Sequence, residues 1–247
     1  VNKPLICITG ANGQIGSYLA KTYMAEAYPL LLIYHSRKER ISDLLDQTYS
    51  LQLDLMDGKT LSQELSGLCQ SQNIRIGALI HTAAVRSYDA LPLAETDPDI
   101  FRSVFDANFY SAYNVLKAVL PYMQDAGWGR VVMFGSDVSS KGLAQGSAYA
   151  AAKAAIANLV KSAAREYAPC GILINTVSPA PVETELEEDY KDEYLEFRKR
   201  YFAHFIESSA TGKLVSTAEL KAVVDLLINP EVNNLCGEEI FLRGGIL

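Results

Sequence analysis

Seven short runs, β-branched or leucine-rich, recur along this chain, and the longer segments between them carry a helical period. The runs are PLICIT (4–9), LLLIY (30–34), YSLQL (49–53), ALIHT (78–82), RVVMFG (130–135), ILINTV (172–177) and EIFLR (239–243). Strictly alternating strand and helix signals are what a parallel sheet flanked by helices requires. Parallel neighbours need long crossovers of right-handed sense, which puts helices on both faces of the sheet. No internal repeat, low-complexity stretch or linker interrupts the pattern, so residues 1–247 are expected to form one α/β domain. One region breaks the rhythm. After the sixth run, ETELEEDYKDEYLEFRKRYFAHF interleaves dense charge with Tyr and Phe. It follows a strand's carboxyl end, where open α/β sheets bind ligands, so residues 183–210 are expected to cover a substrate. A solvated pair of surface helices is the alternative.

The first run leads directly into TGANGQIG, Thr9 to Gly16, and then into a helix. Gly10, Gly13 and Gly16 allow a tight turn, close approach of a pyrophosphate to backbone amides, and close helix-to-strand packing. The helix N-terminus adds a partial positive charge. Strand, glycines and helix at the start of an alternating chain predict dinucleotide binding. Past the second run, where an NAD-preferring fold places an acid against the ribose, this chain reads HSRKER. Ser36, Arg37 and Lys38 offer a hydroxyl and two cations to a 2'-phosphate, which favours NADP(H) over NAD. A basic surface turn is the alternative, although cations at a helix N-terminus oppose its dipole and need another reason to be there. Asp54 either accepts from the adenine amino group or caps the next helix.

Composition narrows the chemistry. A net charge of -7 argues against nucleic-acid and anionic-membrane partners, both of which favour basic surface. The longest apolar runs are strand-sized, well below the ~20 residues that span a bilayer. Cys7, Cys69, Cys170 and Cys236 are too dispersed for a zinc site, and three histidines support no metal centre. A cytoplasmic protein with reduced thiols and a borrowed organic cofactor is the expectation.

Tyr149 and Lys153, in SAYAAAKAAIANLVK, lie one helical turn apart and so share a face. A phenol ionises near pH 10, too high for acid–base work at neutrality, and an adjacent ammonium lowers that value. Tyr149 could then donate a proton to a carbonyl oxygen, or remove one from an alcohol. Ser136, at the end of RVVMFG, could donate to the same oxygen as charge develops on it. A packed tyrosine beside a lysine that reaches solvent is the structural alternative.

Taken in order, Thr9-Gly10 with Gly13 and Gly16, Asp54, HTAA (81–84), Asn108, Ser136, Tyr149 with Lys153, Asn175, SPAPVET (178–184) and RGG (243–245) resemble the short-chain dehydrogenase/reductase family over nearly the whole chain. The resemblance implies a Rossmann-type doubly wound fold with a seven-stranded parallel sheet. It implies that Ser136 polarises the carbonyl, Tyr149 is the acid/base, Lys153 lowers its pKa and holds the nicotinamide ribose, and Asn108 positions a water in a proton relay. The implied cofactor contacts are Thr9, Gly10, Asn12, Gly13, Gln14, Ile15, Gly16, Ser36, Arg37, Asp54, Leu55, Thr82, Ala83, Ala84, Tyr149, Lys153, Pro179, Val182 and Thr184.

TGxxGxxG and HTAA depart from the TGxxxGxG and NNAG usual at this length and look more like the extended branch, which includes sugar-nucleotide epimerases and dehydratases. The chain runs only 70 residues past Val177, however, too few for that branch's substrate domain. His81 either approaches the adenosine or is a packed, hydrogen-bonded residue. Ala180, where glycine is common, would narrow the nicotinamide pocket. Two apolar helices, FYSAYNVLKAVLPYM and AYAAAKAAIANLVKSAAREY, suggest a homo-oligomer, a dimer or tetramer, through close alanine contacts. The expected function is hydride transfer between NADP(H) and a small carbonyl/alcohol substrate, a 3-oxoacyl thioester or a sugar or ketone. An epimerase or dehydratase, and a non-catalytic NADP sensor, are the alternatives.

Overall fold

The computed structural model describes residues 3–86 and 90–245. Each of the seven apolar runs forms a strand. β1 (Leu5–Thr9), β2 (Leu30–Tyr34), β5 (Gly129–Phe134) and β6 (Ile172–Pro179) are buried at every residue, and β4 (Ile76–His81) at all but one. The outer strands β3 (Tyr49–Gln52) and β7 (Glu239–Leu242) are largely half-buried, as sheet edges are. Every pairing is parallel, in the order β3-β2-β1-β4-β5-β6-β7. Strand order reverses between β1 and β4, and a crevice opens there beyond the strands' carboxyl ends. This is the parallel sheet with helices on both faces expected from the alternation, in the doubly wound Rossmann-type order that the resemblance implies.

Helices cover both faces. α1 (Gln14–Ala25) and α8 (Thr217–Ile228) pack Leu19, Tyr23, Leu220 and Val224 against one face. α2 (Gly58–Gln72), α3 (Pro98–Ala126) and α5 (Ser147–Tyr167) pack Leu65, Val115, Ile156 and Val160 against the other. Local chemistry sets their ends. Asp97 caps α3 ahead of Pro98, and Gly127 stops it at φ 66. Ser216 and Glu219 form a reciprocal capping box on α8. In α5, Ala148, Ala150 and Ala152 are buried, and side chains this small bring the helix close to β6 and to α3. The short α4 (Val138–Lys141) follows β5. α6 (Leu186–Asp189) and α7 (Asp192–Ser208) follow β6 and share a small apolar cluster of Leu186, Tyr190 and Phe202.

One crossover differs from expectation. Residues 35–48 form turns and a 3-10 turn at Leu45–Gln47 rather than an α-helix. Ile41 and Leu44 are buried as anchors, and Asn12 Oδ1 accepts from Arg40 N at 3.0 Å, so the segment is pinned by its contacts instead of by helical hydrogen bonds. Arg37 and Lys38 therefore do not sit at a helix N-terminus, and the dipole argument does not apply to them.

Candidate active site

The glycine turn is set by close packing against the β4 end of the sheet. Gly10 has φ +70, and a Cβ there would lie 2.6 Å from the backbone of Ala83. A Cβ on Gly16 would lie 2.3 Å from Gly10 O, so α1 can approach the turn only without one. α1 has Gly13 as its N-cap, with no side-chain cap and no acid in its first turn, which leaves the first N–H groups of the helix, at Gln14 to Gly16 on the groove's wall, without an intrahelical partner. Lining that groove are Gly10, Asn12, Gly13, Gln14, Ile15, Gly16, Ser36, Arg37, Asp54, Leu55, Thr82, Ala83 and Ala84. Thr9 is different. It is fully buried, and its Oγ1 is hydrogen-bonded at 2.7 Å to His81 Nδ1, behind the groove. Asp54 lines the groove and accepts from Met56 N, while the cap of α2 is Asp57, which accepts from Thr60 N. Of the two readings of Asp54, capping belongs to its neighbour.

Next to the groove, and sharing Ile15, Thr82, Ala84, Arg86 and Thr184 with it, is a pocket whose wall includes Ser136, Tyr149 and Lys153. Lys153 is 1% exposed, and its Nζ donates to Phe134 O at 2.8 Å. That hydrogen bond holds the ammonium 5.5 Å from the centroid of the Tyr149 ring. Burial pushes the Lys153 ammonium below its usual pKa, Tyr149 opposes that shift, and Arg86 adds to it. Ser136 Oγ makes a long 3.4 Å bond to Asp137 Oδ1, which leaves it able to turn toward an oxygen in the pocket. Pro179, Ala180, Val182 and Thr184 complete this side, with Thr184 Oγ1 donating to Val182 O.

Asn108 is buried but outside the pocket wall. Its Nδ2 donates to Val85 O at 2.6 Å and Val104 O at 2.8 Å, its Oδ1 accepts from Val85 N, and Ser111 Oγ donates to its carbonyl. It ties the segment after β4 to α3. His81 is a packed residue: fully buried, bonded to Thr9, and held neutral with its pKa lowered to about 3, by burial and then by Lys153.

Three arginines escaped the sequence reading. Arg40 donates to Glu188 Oε2 and Asp189 Oδ1, and Gln14 bonds Glu185 and Asp189, so the segment after β6 is fastened across the cofactor groove. Arg86 lines both cavities and Arg198 the pocket. Arg40 lay in the quoted HSRKER and Arg198 in the charged stretch, but a run of cations does not say which one points inward.

A family model described as short chain dehydrogenase matches residues 4–195. The 3-oxoacyl-(acyl-carrier-protein) reductase FabG of Salmonella typhimurium is 28% identical over 242 residues, covering 97% of this chain and 95% of its own. The crystal structure of NAD+-bound xylitol dehydrogenase superposes with a TM-score of 0.87 at 23% identity over 99% of both chains. ElxO with NADP bound does so with a TM-score of 0.85 at 23% identity over 98% of both. With its doubly wound sheet and its glycine turn, the chain belongs to the short-chain dehydrogenase family.

Proposed function

We propose that this protein is an NADP(H)-dependent oxidoreductase that interconverts a carbonyl and an alcohol on a small substrate. The observation that carries the reading is the convergence of Ser136, Tyr149 and Lys153 on one pocket that opens into the glycine groove. The groove suits a dinucleotide: Gly10 and Gly16 leave space a Cβ would fill, and the uncapped start of α1 offers N–H donors to a diphosphate. When bound, the nicotinamide supplies or accepts the hydride. In the reductive direction the Tyr149 hydroxyl gives its proton to the carbonyl oxygen, and Ser136 Oγ donates a hydrogen bond to that oxygen as it gains charge. Lys153 Nζ, fixed by Phe134 O, supports the phenolate left behind. Asn108 orients the Val85 backbone at the crevice, and a relay through it would exchange the Val85 bond for a water.

Relatives with NAD+ and with NADP are both known by structure, so cofactor choice rests on this chain's own residues. Ser36 and Arg37 line the groove and favour the 2'-phosphate, while Arg40 beside them is already paired with Glu188 and Asp189. Residues 183–210 form the cover, with α6 and α7 over the pocket. The 28% identity to a 3-oxoacyl-(acyl-carrier-protein) reductase supports a 3-oxoacyl thioester as one substrate class, and sugars or ketones are the other. We read the outer face of α3, where Tyr110 and Tyr113 are exposed, together with α5 as the surface for a homo-oligomer. NADPH and NADH consumption with a panel of ketones, sugars and acyl thioesters tests the reading. NADPH-dependent turnover supports it. Tight NADPH binding without turnover, or an isomerised product with no net NADPH consumed, overturns it.

A further inference from the structure

Two cations in the substrate pocket form no ion pair among the described residues. Arg198, on α7, holds its guanidinium carbon 5.5 Å from the Tyr190 ring centroid, 5.2 Å from Tyr201 and 5.1 Å from Phe202. Arg86, from the segment after β4, lies 5.1 Å from the same Tyr190 ring. Both line the pocket that holds Ser136 and Tyr149. Among the described residues neither guanidinium forms an ion pair, whereas the nearby cations Arg40 and Lys141 do: Arg40 with Glu188 and Asp189, Lys141 with Asp137 at 2.5 Å. Arg198 Nε is buried without a hydrogen-bond partner. Asp189 attracts Arg86 through space, but its oxygens are engaged by Gln14 and Arg40. Burial pulls Arg86 below its usual pKa, Tyr149 offsets this, and Arg198 adds to the pull.

Cation–π contacts with these rings supply no in-plane acceptor, so the guanidinium N–H groups, up to five donors, are left to be matched. Two such donor sets beside one reacting centre, in a protein of net charge -7, are suited to a planar oxyanion gripped by paired N–H···O bonds. We infer that the pocket selects carbonyl and alcohol substrates that carry a carboxylate, held by Arg198 and Arg86. This rests on the oxidoreductase reading above and names its substrate class. The cofactor's diphosphate is the rival anion for Arg86, which also borders the groove. Arg198 borders the pocket alone and so separates the two.

The test follows NADPH oxidation with pyruvate, acetoacetate and levulinate, each against its methyl ester, and with dihydroxyacetone phosphate against dihydroxyacetone. Wild type, Arg198→Met and Arg198→Lys are compared. Wild type should prefer one acid over its ester by about tenfold to a hundredfold in kcat/KM, mostly through KM, the worth of charge-assisted hydrogen bonds. Arg198→Met should bring that ratio close to one with the NADPH dissociation constant unchanged, and Arg198→Lys should keep part of it. Turnover with acid and ester equal, a preference that survives Arg198→Met, a loss that appears only in NADPH affinity, or a preference confined to the phosphate each overturns the inference. Calorimetric titration of the same acids and esters into NADPH-saturated Tyr149→Phe keeps the two proposals apart. Binding of an acid and not its ester supports this inference even if no substrate turns over, and no binding of any acid overturns it.

Discussion

The groove beneath α1 and the pocket beneath α7 meet at Ile15, Thr82, Ala84, Arg86 and Thr184, yet they keep their shapes by different means. The groove is a backbone object. Its form comes from a left-handed Gly10, from the absence of a Cβ at Gly16, and from a helix that begins without a side-chain cap. The pocket is a side-chain object, walled by aromatic rings and Arg198 on α7, by Arg86 after β4, and by residues at the ends of β5 and β6. A backbone device tolerates one residue type at each key position and serves any ligand with a diphosphate. A side-chain device can be repacked, and a family built on this sheet can vary its substrates by changing that wall while leaving the groove alone.

Substituting one residue on each side tests that contrast most severely. Gly10→Ala forces a side chain onto φ +70 and into the Ala83 backbone, and should cost roughly 3 kcal/mol or more, with loss of NADPH binding. Phe202→Leu, a modest large-to-small change in the α7 cluster, should cost roughly 1–2 kcal/mol. Urea unfolding of both checks this; equal losses would mean that the groove is no stiffer than the pocket.

Lys153→Met addresses the pocket wall itself. The buried ammonium is an electrostatic cost to folding, so its removal should change stability by less than about 2 kcal/mol even though Phe134 O loses a donor. Turnover should nevertheless fall by about a hundredfold or more. A large drop in melting temperature with activity retained would make the lysine a structural residue.

An effect that appears only on acidification belongs to His81, under the groove. Its folded pKa of about 3 lies below its unfolded value of 6.5, so between those limits the unfolded chain binds the extra proton. Its contribution is complete above about pH 6.5 and is lost at about 1.4 kcal/mol per pH unit on acidification, or roughly 2 kcal/mol by pH 5. His81→Gln should flatten that slope in urea midpoints measured at pH 7.5 and pH 5. An unchanged slope would show that His81 accepts its proton in the folded state.

What could be read from the residues follows the same division. The seven strands and the glycine turn were legible because burial periodicity and the need for glycine are local properties. The missing helix after β2 was not, since Ile41, Leu44 and Arg40 hold that segment through contacts with distant residues. Thr9 stands first in the glycine motif, but side chains alternate along a strand and this one faces His81 behind the groove. Asn108 was found by resemblance, and its bonds to Val85 were invisible because they join a helix to a loop beyond a strand. Arg86 and Arg198 come from segments far apart in the chain, and only the folded sheet brings both to Tyr190.

The central claim is that the phenol of Tyr149, beside the fixed ammonium of Lys153, moves the proton. Tyr149→Phe removes one oxygen and little volume, so single-turnover NADPH oxidation with the best substrate of the panel tests it directly. The account predicts a rate lower by about a hundredfold to ten-thousandfold, with NADPH affinity and melting temperature unchanged. A rate within a few-fold of wild type would contradict it.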